Sequence, residues 1–123
     1  MTRDPLAPFD DGVFAAVART HDVPTAALRD LVRRHQELVR RLPGVDDIVY
    51  EWRNAFPNDP VIERWPDVYY LSVAGTVWPE YAASLGLDGR EAAALRAVHR
   101  RQLDASVGCR PTGDRSAMVL TRE

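Results

Sequence analysis

One short segment limits the folds open to this chain more than any other. Residues 68–73 read VYYLSV, a β-branched and aromatic run bounded by Asp67 and Gly75, and this pattern predicts a β-strand. A single strand needs a partner to be stable. The other segment with strand character is residues 116–121, so we predict a small two-stranded sheet whose strands are separated by residues 74–115.

The rest of the regular pattern is helical. Apolar residues at three-and-four spacing predict five helices, which cover residues 10–20, 24–42, 46–56, 77–86 and 89–106. Asp88 with Glu91 three residues later forms a capping box before the last helix. Residues 46–56 could also join an extended run, but their apolar positions fit one helical face better. The proline-rich segment 57–67 is predicted as a loop with at most one helical turn, capped by Asp59.

The fold class is therefore α+β and mostly helical, in one domain that spans residues 1–123. With 46% hydrophobic and 28% charged residues, the composition excludes disordered, collagen-like and membrane-spanning classes. A lone cysteine, Cys109, excludes an internal disulfide, and no signal peptide follows Met1. We expect a soluble, cytoplasmic protein with no membrane partner.

The positive charges are unevenly placed along the chain. All sixteen cations are arginine, and the net charge is only −2, which gives no overall attraction to nucleic acid. The helical segments 24–42 and 89–106 carry +3 and +2, so their polar faces could form local positive stripes, whereas residues 43–73 carry −4.

The first two predicted helices resemble a helix-turn-helix, because Val17, Ala18 and Val23 stand where that motif places its packing residues. Asp22 takes the turn position that is most often glycine, which it tolerates because aspartate accepts left-handed dihedrals. The resemblance implies a DNA-binding regulator that reads the major groove with the helix 24–42. Its candidate DNA contacts are Thr25, Arg29, Arg33, Arg34, Arg40 and Arg41.

Two histidines, His35 and His99, lie on the apolar stripes of the two longest helices. If these helices pack together, the pair could be a buried polar pair, a metal half-site or an acid and base. No metal-binding spacing, phosphate loop or catalytic triad motif accompanies them. We therefore expect buried, structural histidines and predict no enzyme activity, no metal and no cofactor.

The apolar residues Val61, Ile62 and Trp65 lie in the predicted loop, where polar residues are usual. They either fold back as a lid on the core or present an aromatic anchor to a partner. The sequence thus favours a small non-enzymatic domain that acts through contacts with a protein partner or a second copy of itself. It implies no small-molecule ligand, and DNA binding is the alternative.

Overall fold

The computed structural model describes residues 3–123, so residues 1 and 2 of the predicted domain lie outside the described chain. The helices are α1 (Asp11–His21), α2 (Thr25–Arg41), α3 (Val45–Ala55), α4 (Val77–Leu85) and α5 (Gly89–Val107), and the strands are β1 (Val61–Arg64), β2 (Val68–Val73) and β3 (Ser116–Thr121). The predicted α+β, mostly helical fold is confirmed. No helix of the described residues is both long and apolar enough to cross a membrane.

The sheet has three strands in the order β1-β2-β3, all antiparallel. The predicted pairing of β2 with β3 is confirmed, with Tyr70 opposite Val119. The prediction of a loop with a helical turn at 57–67 is wrong, because β1 pairs there with the free edge of β2. Asp59 caps no helix; its Oδ1 accepts a hydrogen bond from Val61 N at 3.0 Å.

Helices cover both faces of the sheet. Successive residues of a strand point to opposite faces, so the contacts of Tyr69 and Tyr70 identify the helix on each face. The Tyr69 hydroxyl donates to Asp46 of α3 at 2.6 Å on one face. Tyr70, on the other face, lies against Ser106 of α5. The sheet therefore sits between α3 and α5, and the same helices position the residues discussed below.

The helix starts depend on different contacts. The predicted capping box is confirmed, since Asp88 Oδ1 accepts from Glu91 N at 2.8 Å and Glu91 Oε1 accepts from Asp88 N at 3.1 Å. Asp10 precedes α1 as predicted, but its side chain does not cap that helix. Its carboxylate and its backbone N–H are both bonded to the side chain of Gln102 on α5. A long-range contact thus replaces the local cap and fixes α1 against α5.

Candidate functional site

The two histidines predicted on apolar stripes meet in the core. His35 and His99 are completely buried, and their ring centroids lie 5.3 Å apart with the ring planes at 87°. The Trp78 ring lies 4.7 Å from each of them, Tyr81 lies 4.7 Å from His35, and Phe9 lies 5.2 Å from His99. The imidazoles are therefore part of an aromatic cluster with no opening to solvent.

The hydrogen bonds of this cluster decide which nitrogen of His99 carries a proton. Its Nδ1 accepts from the backbone N–H of Val119 on β3 at 2.9 Å, so the proton of the neutral ring is on Nε2. His99 Nε2 and both nitrogens of His35 have no hydrogen-bond partner among residues 3–123. His35 instead makes edge-to-face ring contacts with Tyr81 and His99.

Burial keeps both imidazoles neutral. Desolvation lowers the pKa of His35 from 6.5 to about 3. Desolvation, and then repulsion from His35, lowers the pKa of His99 well below its usual range. Neither ring can therefore exchange protons with a substrate in solution at neutral pH.

His99 belongs to a row of side chains that cover the outer edge of β3. Gln36 Nε2 donates to Val119 O at 2.8 Å, and Gln36 Oε1 accepts from Thr121 N at 2.9 Å. Trp78 Nε1 donates to Ala117 O at 3.0 Å. Three helices thus supply hydrogen bonds that a fourth strand would make, and this role accounts for the burial of Gln36 and His99.

Two buried glutamines lie near the histidines in the sequence: Gln36 follows His35, and Gln102 comes three residues after His99. Both are about 1% exposed, and both bridge elements far apart in the chain. The available signal was their position on the apolar side of a long helix, where a long polar side chain must find backbone partners. No group of three or more metal-ligating side chains comes together within the part of the chain that the structure describes.

The candidate DNA-contact residues on α2 are dispersed around that helix. Thr25 and Arg41 are exposed and Arg33 is half-buried. Arg29 pairs with Asp11 at 2.8 Å and also lies over the Phe14 ring. The last two candidates are Arg34 and Arg40. Arg34 donates to Leu85 O of α4 at 3.0 Å, and the Nε and Nη2 atoms of Arg40 are buried with no partner among residues 3–123.

The connection between α1 and α2 is three residues long and covers residues 22–24. Asp22 is left-handed, with φ 54° and ψ 50°, and Val23 N donates to Ala18 O at 3.1 Å. The buried face of α2 nevertheless continues through Val39 and is enclosed by neighbouring helices. Its exposed face includes the carboxylates of Asp30 and Glu37.

The three candidate interaction residues differ in exposure. Val61 and Ile62 are half-buried and pack against the core from β1. Trp65 is 38% exposed, although its ring lies edge-on at 4.7 Å from Tyr70 and its Nε1 donates to Glu63 at 2.7 Å. Trp65 is therefore held in place while part of its ring remains accessible.

Trp65 is connected to a second exposed aromatic residue. Arg122 Nη1 donates to Trp65 O at 3.1 Å, and Arg122 Nη2 lies 3.7 Å from Asp46 Oδ1 at the start of α3. Tyr50 follows Asp46 by one helical turn, so both lie on the same side of α3. Tyr50 is 69% exposed.

Leu42, which is 68% exposed, precedes Pro43 at the hollow that Asp46 and Asp47 also line. We call the set Leu42, Asp46, Asp47, Tyr50 and Trp65 the acidic aromatic surface. Sequence reasoning missed Leu42 because it continues the apolar stripe of the helix predicted over 24–42. It missed Tyr50 because a single aromatic residue on a polar helical face is common.

Comparisons with known proteins give a family and no function. The family model described as Domain of unknown function (DUF8048) matches residues 7–122. No curated protein and no solved structure matches the chain.

Proposed function

We propose that this chain, which belongs to the family described as Domain of unknown function (DUF8048), is a non-enzymatic domain that binds a protein partner through the acidic aromatic surface. The observation that carries the proposal is the position of the exposed apolar side chains. The large hydrophobic residues that are exposed among residues 3–123 are Leu42, Tyr50 and Trp65. Leu42 and Tyr50 lie close to Asp46 and Asp47, whereas the Trp65 ring packs against Tyr70 on the other face of the sheet and is linked to Asp46 through its backbone carbonyl and Arg122.

The surface has the composition of a binding site for a protein. Aromatic side chains on a rigid support provide large contact areas at a small entropic cost and are enriched at interfaces. The backbone of Tyr50 belongs to helix α3, and the Trp65 side chain is held by Tyr70 and Glu63, so binding does not require a loop to become ordered at these positions. Because 69% of Tyr50 is exposed, it adds little to the stability of the fold, and most of its apolar area is free to be buried by a partner.

Charge complementarity defines the chemistry of the partner. Residues 43–73 carry six carboxylates and two arginines, a net charge of −4, and Asp46 and Asp47 flank the exposed apolar groups. A partner with an apolar centre and a rim of lysine or arginine matches this pattern. The enclosure of His35 and His99 supports a non-enzymatic role, because these imidazoles have no route to a substrate.

Affinity capture with the full chain as bait tests the proposal. The proposal is supported by a captured protein whose affinity for the Tyr50→Ser variant is at least about tenfold lower than for the wild type. Asp47→Asn should weaken the same interaction and reduce its dependence on salt. Asp30→Asn on α2 removes an equally exposed carboxylate outside the surface and is the matched control.

Two results would contradict this proposal. Partners that bind Tyr50→Ser as well as the wild type would show that the surface is not used. Light scattering that detects a wild-type dimer, converted to monomer by Tyr50→Ser, would replace the separate partner with a second copy of the chain.

DNA binding through α2 is the second candidate, favoured by the left-handed turn at Asp22. Under this alternative, Arg33→Ala should reduce binding to a duplex at low salt, because each lost phosphate contact removes counterion release. Arg19→Ala on α1 is the control. The ion pair of Arg29 with Asp11 counts against it, since a carboxylate already balances the charge of that guanidinium group.

A further inference from the structure

We propose that a hollow lined by four arginines binds the phosphate group of a small phosphate ester. The arginine hollow, as we call it, has a volume of about 210 Å³. Its lining residues are Trp78, Arg96, Arg100, Arg110, Pro111, Arg115, Ser116 and Ala117. It is separate from the acidic aromatic surface, and the inference does not rest on the proposed function.

Two parts of the chain bring these arginines together. Arg96 and Arg100 are one turn apart on the exposed side of α5. Arg110 and Arg115 come from the connection between α5 and β3, which folds back alongside the helix. From the sequence alone, residues 89–106 and 107–123 are each slightly basic. That their arginines lie close together could not be predicted, because it depends on how the connection packs on the helix.

Two of the four guanidinium groups are held by hydrogen bonds to uncharged oxygens, which leave their charge unbalanced. Arg115 Nη2 donates to Ser72 O at 2.7 Å, and Arg96 Nη2 donates to Ser116 Oγ at 3.3 Å. Each guanidinium has five N–H donors, so these bonds leave several free. No carboxylate lines the hollow, and of its four arginines only Arg110 has an ion pair within residues 3–123, with Asp104 at 2.9 Å.

This arrangement needs an explanation beyond amino-acid usage. A general preference for arginine explains why the chain has no lysine, but it does not explain why four of sixteen arginines surround one hollow. Like charges in a shared site repel each other, and a bound dianion removes that repulsion. Guanidinium groups also match phosphate oxygens in a bidentate geometry.

The surroundings indicate what the phosphate is attached to. A larger hollow of about 730 Å³ adjoins the first, because Arg100 and Arg110 line both. It adds Arg101 and the carboxylate of Asp104, which can accept hydrogen bonds from hydroxyl groups. A phosphate in the arginine hollow with a polar, hydroxyl-bearing remainder in the larger one fits this pair of sites.

Calorimetric titration and thermal unfolding of the full chain test the inference. The probes are inorganic phosphate, pyrophosphate and adenosine monophosphate, at an ionic strength kept constant with sodium chloride. We expect each probe to raise the melting temperature and adenosine monophosphate to bind more tightly than inorganic phosphate. Arg96→Gln with Arg100→Gln should reduce the affinity at least about tenfold, because charge-assisted hydrogen bonds are lost.

The control variant is Arg19→Gln with Arg41→Gln, which removes the same charge from exposed positions outside both hollows. Equal loss of affinity in the two double variants would overturn the inference, because it would show attraction by net charge alone. Binding of duplex DNA without binding of any small phosphate probe would also overturn it. In the absence of phosphate, Arg96→Gln with Arg100→Gln should melt no lower than the wild type, since it relieves repulsion.

Discussion

Lowering the pH from 7 to 5 should remove about 4 kcal/mol from the free energy of unfolding, because two histidines are held neutral in the core. In the unfolded chain each imidazole has a pKa near 6.5 and takes up a proton as the pH falls. In the folded chain burial holds the pKa of His35 at about 3 and that of His99 well below its usual range. The unfolded state therefore binds more protons, so stability is lost progressively below pH 6.5.

The magnitude follows from linkage. At pH 5, protonation favours the unfolded state by about 2 kcal/mol for each histidine that stays neutral in the folded state. Two such residues give about 4 kcal/mol, which is a large fraction of the stability of a domain of this size. Ordinary carboxylates change protonation mainly below pH 5, so the histidines dominate this interval.

Urea unfolding followed by tryptophan fluorescence at pH 7, 6 and 5 measures the effect. His35→Met should lose only about 2 kcal/mol over the same interval and should be more stable than the wild type at pH 5. Methionine fills the space with an adaptable apolar side chain, and His35 has no hydrogen-bond partner among residues 3–123 to lose. His21→Gln, at the end of α1, replaces the histidine that lies outside the buried pair and is the control.

A wild type that loses less than about 1 kcal/mol between pH 7 and pH 5 would refute the reasoning. So would a His35→Met variant with the same pH dependence as the wild type. Either result would mean that the buried imidazoles are not the groups that take up protons on unfolding.

Three further predictions concern the fold. Gln36→Leu should lower the free energy of unfolding by about 2–5 kcal/mol, because it leaves two backbone groups of β3 unpaired. Amide exchange at Thr121 should also become faster, and an unchanged exchange rate there would contradict this prediction. A chain that ends at Pro111 should melt far below the full chain in a circular dichroism scan, since it lacks β3, and an unaltered melting temperature would disprove the dependence on that strand. Asp22→Val should be less stable in urea than Asp22→Gly by about 1–2 kcal/mol, because a β-branched residue does not tolerate a left-handed dihedral; equal stabilities would show that the turn relaxes.

The elements that could be predicted from the sequence are those with local signals. The capping box of Asp88 and Glu91 marks the start of α5, and the apolar spacing of α2 and α5 marks their buried faces. The pairing of β2 with β3 could be predicted because each strand needs a partner and few other segments have strand character. β1 could not be predicted, because its four residues lie between Pro60 and Pro66 and have the composition of a loop. They form a strand because the edge of β2 provides a partner.

The candidate sites divide in the same way. The positions of His35 and His99 on apolar stripes predict burial, but their 5.3 Å separation depends on how α2 and α5 pack. Tyr50 lies off the apolar stripe that Val45, Val49 and Trp52 form on α3, so periodicity agrees with its exposure. Leu42 continues the apolar spacing of α2 and is nevertheless exposed, because the helix ends at Arg41.

The covered edge of β3 also couples the stability of the sheet to that of the helices. The outer backbone groups of this strand are bonded to Gln36, Trp78 and His99, which come from α2, α4 and α5. β3 therefore has bonds on both sides only when β2 and these three helices are all in place. Sheet and helices should then unfold together in a single cooperative transition, with equal protection from exchange in α2 and β3.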